Sequence, residues 1–144
     1  MKIRVLLLSL ICALVSVPVV QAAKADDETE LGAKMDKLNG AFRKLKRMVS
    51  DASQNPEALK LIATIRESAK ASLTLEPVMK ADIPADKQAK FVADYKAQMK
   101  SFNAEIDKLE AALKAGNNAE AAKLVDAMDK MKKDGHSKFK RKEK

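Results

Sequence analysis

Cysteine occurs once in the 144 residues, at position 12, and tryptophan not at all. Glycine and proline occur four times each, and the aromatics amount to four phenylalanines and one tyrosine. Each shortage excludes something. Cys12 lies inside an N-terminal apolar run, so once that run is removed no disulfide can staple the remainder, and a hydrophobic core must hold it unaided. Few glycines and prolines leave long stretches without turn signals, and an abundance of Ala, Lys, Leu and Met favours helices packed on helices. Few aromatics leave little to stack on bases, which makes nucleic acid a poor partner. Past the N-terminal run, no segment approaches the ~20 apolar residues of a membrane span. Glycine-rich phosphate loops and Ser/His/Asp constellations are also missing.

The N-terminal run has the parts of a secretory signal. Lys2 and Arg4 supply positive charge, Val5 to Val17 is almost unbroken apolar sequence, and Val20-Gln21-Ala22 offers a cleavage point. Ile11 is too bulky to precede a lipidated cysteine at position 12. Residues 1–22 are therefore expected to be a signal peptide cleaved near Ala22, and residues 23–144 a single soluble domain of about 120 residues. The net charge of +8 falls to about +6 without Lys2 and Arg4, and Lys138, Lys140, Arg141, Lys142 and Lys144 crowd the C-terminus. Such a cluster is most often a solvated helix end. As a functional surface it would steer an acidic redox partner or touch an anionic membrane, with association weakening as salt rises.

The periodicity predicts four helices and no strand. After a frayed start at Asp26, Asp27 and Glu28, the residues Leu31, Met35, Leu38, Phe42, Leu45 and Val49 recur at alternating spacings of four and three, one buried stripe of a helix ending near Ser50. Asn55-Pro56 reads as an N-cap followed by proline at the first helical position. Leu59, Ile62, Ile65, Ala69 and Leu73 then give a second helix an apolar face until Glu76-Pro77 stops it. A third helix runs from about Ala85 to Ala115 on Tyr95, Met99, Phe102, Ile106, Leu109 and Leu113. Gly116 suits the left-handed position past its end, and Asn117 or Asn118 caps the fourth helix, which carries Leu124, Val125, Met128, Met131 and Phe139 toward the basic tail. Short connections impose antiparallel neighbours, so the fold class is all-α, an antiparallel up-down-up-down four-helix bundle.

In that topology the first and last helices are adjacent. Counted from their common end at 1.5 Å per residue, Met35 stands at about 22 Å and His136 at about 27 Å, a similar level. Alone, Met35 is adaptable core filler, and His136, the single histidine, is a half-exposed residue at a helix C-terminus. Together, a thioether and an imidazole facing each other can fill both axial positions of a haem iron, a ligand set suited to electron transfer.

The run Leu31-Gly-Ala-Lys-Met35-Asp-Lys-Leu38-Asn39 resembles the opening of the first helix of the cytochrome b562 family, in which that methionine is a haem ligand. His136, with Phe139 three places on and Lys140 next, resembles the family's histidine ligand in the last helix, and the similarity extends through Ile106-Asp107 and Gly116. Cytochrome b562 is itself a standard example of the up-down bundle. The resemblance implies haem contacts from Leu38, Phe42, Tyr95, Met99 and Phe139. Tyr95 and Met99 stand where the family has phenylalanines. Lys132 and Lys140 replace arginines and offer point charges rather than forks to haem propionates. Gly135 replaces a large residue beside the histidine.

Without a Cys-x-x-Cys-His motif, thioether attachment is excluded, leaving one non-covalent haem b per chain. The single histidine cannot serve the two Glu-x-x-His pairs of a di-iron bundle. The expected protein is a periplasmic electron carrier, not an enzyme, with an acidic redox partner the sequence does not identify. The competing reading is a haem-free periplasmic helical adaptor or stress-related binding protein. It requires His136 in water and Met35 in a closed core.

Overall fold

The computed structural model describes residues 29–141. The proposed signal, Cys12, the acidic start at Asp26 to Glu28 and Lys142 to Lys144 lie outside the described residues. Four helices follow in order: α1 (Glu30–Met48), α2 (Asn55–Ser72), α3 (Ala85–Lys114) and α4 (Asn118–Phe139). They form an all-α four-helix bundle, and the described residues contain no strand. No helix among them is long and apolar enough to cross a membrane.

The four-three stripes become the core. Leu38, Phe42 and Leu45 of α1, with Val49 at its C-cap, meet Ile62, Ile65 and Ala69 of α2, Phe102, Ile106 and Leu109 of α3, and Val125 and Met128 of α4, all buried. Gly116 takes φ +69°, where a side chain would be strained, and turns α3 into α4 within three residues. At the start of α4, the Asn117 side chain accepts from Glu120 N at 3.1 Å, so Asn117 is the cap.

Two expectations at α2 are corrected. Asn55 does not cap its helix; it is the first helical residue, after Gln54. Its amide instead crosses the base of the bundle, donating to Asn118 Oδ1 at 3.2 Å and Leu113 O at 3.3 Å, while Asn118 Nδ2 returns a bond to Asn55 Oδ1 at 2.8 Å. The Asn118 donor thus takes the Asn55 Oδ1 that a local cap would have used as its acceptor. The helix also ends at Ser72, not at Glu76. Ser72 Oγ donates back to Ser68 O at 2.8 Å, and Thr74 Oγ1 to Ala71 O at 2.9 Å. These side chains take up carbonyls of the last turns before the proline is reached. The chain then forms a 3₁₀ strap, Val78–Asp82, that no periodicity announced.

α1 and α4 run antiparallel, as the topology requires, but their backbones stand farther apart than those of the pairs α1–α2, α2–α3 and α3–α4. Side chains span the gap. Asn118 Nδ2 donates to Val49 O at 2.7 Å, Lys46 Nζ pairs with Asp129 Oδ2 at 3.1 Å, and Lys132 Nζ lies 5.2 Å from the centroid of the Phe42 ring. All three links lie toward the base. Above them a cleft opens.

Candidate functional site

The cleft spans about 920 Å³ when its solvent-open mouth is included. α1 supplies Leu31, Met35, Leu38 and Asn39; α3 supplies Tyr95, Gln98, Met99 and Phe102; α4 supplies Met131, Lys132, His136 and Phe139, with Lys140 just past its end; Pro77 and Val78 close one side. Of the residues singled out in the sequence, Met35, Leu38, Tyr95, Met99, Lys132, His136, Phe139 and Lys140 all line this one space. Phe42 does not. It lies beneath the floor, 1% exposed, its ring 6.5 Å from that of Phe102.

The side links fix the level of the two candidate donors. Measured up from the Lys46–Asp129 pair, Met35 stands about 17 Å and His136 about 11 Å higher; measured from Val49–Asn118, the figures are about 21 Å and 27 Å. The two links differ in opposite senses, so the residues share a level to within about one turn. Met35 is half-buried and packed against the core. His136 is exposed at the rim, yet partial burial holds its imidazole below the usual pKa, and the charges of Lys132 and Lys140 add to the effect. The neutral ring, with a free nitrogen lone pair, is thereby favoured.

Aromatic contacts anchor the α4 wall. Phe139 meets Tyr95 edge-on at 5.5 Å and Phe91 at 5.3 Å. Tyr95 donates its hydroxyl to Ser72 O at 3.1 Å, and burial pushes that hydroxyl up to about 12. Thus a polar tip is satisfied while the ring faces the cleft.

Gly135 has a use beyond its small size. Gln98 Nε2 donates to Met131 O at 2.9 Å, and a Cβ added at position 135 would stand 2.9 Å from the same nitrogen. Met131 O is also the carbonyl that the Gly135 N–H faces in a regular helix. A side chain on α3 is therefore bonded to the turn that carries His136, through room that glycine leaves.

Sequence reasoning missed several wall residues. Leu31 and Asn39 lie four residues either side of Met35, and Gln98 and Phe102 fall beside the Tyr95–Met99 stripe, so helical spacing about the named residues could have found them. Pro77 and Val78 come from a loop with no period and gave no signal.

The walls fit a flat apolar group bearing carboxylates: aliphatic and aromatic faces on α1 and α3, a thioether on α1 and an imidazole on α4, and two cations, Lys132 and Lys140, on the α4 side. Among the described residues, no three His, Cys, Asp or Glu side chains gather as a metal site. Neither the curated proteins nor the solved structures compared with the chain match it. The family model described as cytochrome b562 matches residues 30–140, which span all four helices and nearly the whole cleft wall; the chain belongs to the cytochrome b562 family of haem-binding electron-transfer proteins.

Proposed function

We infer that residues 23–144 are the mature protein, that it holds one non-covalent haem b in the cleft with Met35 and His136 as axial ligands, and that it carries electrons in the periplasm. The supporting observation is that a thioether and an imidazole from antiparallel helices line one apolar cleft at one level. When bound, the haem iron supplies a one-electron couple between its ferric and ferrous states.

The chain's residues account for the rest. Partial desolvation, with the charges of Lys132 and Lys140, favours the neutral His136 imidazole, whose lone pair would then be available to the iron. The Met35 thioether is a soft donor that favours the reduced state and raises the potential. Leu38, Tyr95, Met99 and Phe139 exclude water from the faces of the group. Lys132 and Lys140 meet its carboxylates as point charges. Met35 and His136 would hold the group between them, and the chemistry it would supply there is one-electron transfer rather than catalysis.

Titrating the chain that begins at Ala23 with haemin tests the reading. Saturation at one haemin per chain, followed by reversible one-electron reduction, is expected; absence of saturable uptake overturns it. Export is checked separately by N-terminal sequencing of the product from the periplasm of a Gram-negative host. A start near Ala23 is expected, and a product retaining Lys2 rejects the proposed signal.

A further inference from the structure

The family match ends at residue 140, and the next residue makes a bond that reaches back to the cleft. α4 stops at Phe139, and Lys140 takes extended backbone, φ −89° and ψ 130°, so the chain leaves the helix axis there. Lys140 lines the cleft. Arg141 turns to the strap: its Nε pairs with Asp82 Oδ2 at 2.7 Å, and its Nη2 donates to Val78 O at 3.3 Å.

Two kinds of bond hold the strap. Local ones shape it: Lys80 N to Pro77 O at 3.0 Å, Ile83 N to Lys80 O at 3.1 Å and the Lys80–Glu76 pair at 2.7 Å. They fix its curvature but not its position over the bundle. Position comes from other elements, with Gln88 of α3 donating to Ile83 O at 3.0 Å at the far end and Arg141 gripping the Val78–Asp82 stretch. Val78 is both a cleft wall and the carbonyl that Arg141 holds. A guanidinium suits this task because its fixed fork reaches a carboxylate and a carbonyl together, which an ammonium on a flexible stem does less well.

The geometry points to Arg141 as a latch that holds the Val78–Asp82 strap in place as a wall of the cleft and so sets how long the cofactor stays bound. This rests on the proposed haem site. The consequence is a division of labour between consecutive cations: Lys140 lines the cleft, and Arg141 fastens one of its walls.

The test uses the mature chain and the variants Arg141→Ala, Arg141→Lys, Asp82→Ala and the double alanine variant. Haemin dissociation is followed by transfer to excess apomyoglobin, and amide exchange across residues 77–83 is measured without haemin. Arg141→Ala and Asp82→Ala should each speed haemin loss about fivefold, the scale of one partly exposed charge-assisted pair. The double variant should lose it no faster than the Arg141 single, Arg141→Lys should fall between, and exchange across the strap should quicken in both alanine variants. The absorption bands should not move, since neither axial ligand is touched. Uptake at one haemin per chain with a loss rate unchanged in Arg141→Ala overturns the latch and leaves the site reading standing. A wild-type chain that takes up no haemin overturns both. A shift of the absorption bands in Arg141→Ala also counts against a latch, because it would place Arg141 on the cofactor itself.

Discussion

Lys46 of α1 and Asp129 of α4 meet at 3.1 Å across the gap below the cleft. Asp129 also holds Lys133 at 3.2 Å and Lys132 at 3.4 Å, so one carboxylate gathers three cations and joins the two helices that bear Met35 and His136. Hydrogen bonds from Lys46 and then Lys133 draw its carboxyl down to about 2.

A depressed acid stabilises the fold at pH values above its unfolded pKa, near 4, and that contribution is lost as pH falls through the folded value. Lys46 and Lys133 are 47% and 72% exposed, so solvent screens much of the effect and about 1 kcal/mol remains. Asp129→Asn should therefore cost about 1 kcal/mol at pH 7, by urea unfolding of the haem-free chain. The gap between wild type and variant should close toward pH 2; a gap independent of pH would show that packing, not charge, links the helices.

His136 has the opposite consequence in acid. Its imidazole titrates below the ordinary value, so the unfolded chain binds a proton before the native one does. As pH falls through about 6.5 toward the folded value, the haem-free wild type should lose stability relative to His136→Gln, and below the folded value the difference should level off. Parallel curves for the two proteins would contradict the lowered titration of His136 at the cleft rim.

The amide pair at the base is independent of the cleft. Asn118 donates to Val49 O and Asn55 Oδ1 at 2.7 and 2.8 Å, joining the ends of α1 and α4 to the start of α2. Asn118→Ala leaves partly buried acceptors unmet and should cost about 2 kcal/mol. Adding Asn55→Ala should cost less than it does alone, since the two share bonds. Haemin stoichiometry should not change in either.

Gly135→Ala gains about 1 kcal/mol of helix propensity but displaces the Gln98 amide, whose bond to Met131 O is worth about the same. The single substitution should be near neutral in thermal unfolding. In a Gln98→Ala background the same change should stabilise by about 1 kcal/mol. Equal effects in both backgrounds would mean that Gln98 does not use the room glycine leaves.

The helices were legible because burial acts on one stripe at a time: Leu38, Phe42 and Leu45, or Phe102, Ile106 and Leu109, declare a period of three and four that tertiary packing then uses. Gly116 and Asn117 were legible because a positive φ and an orphan N–H have few chemical solutions. The error at Asn55 came from treating a capping signal as local when a partner 63 residues away offered a better bond. Pro77 was read as the stop for α2, whereas Ser72 and Thr74 had already taken its last carbonyls. Met35 and His136 were singled out as a pair because the topology sets them at a similar level and because the runs about them resemble the cytochrome b562 family's; the structure places both on the lining of one cleft. The strap, the bond from Gln98 to Met131 and the grip of Arg141 were not legible, since a loop has no period and contacts across helices leave no spacing in the sequence.

The most direct test of the account is the absorption spectrum of the haemin-loaded mature chain, oxidised and reduced, beside Met35→Ala and His136→Ala. The wild type should show the sharp bands of six-coordinate low-spin iron, and each variant should lose them while keeping its helical circular dichroism. Wild-type bands that survive intact in either folded variant would contradict axial ligation by that residue.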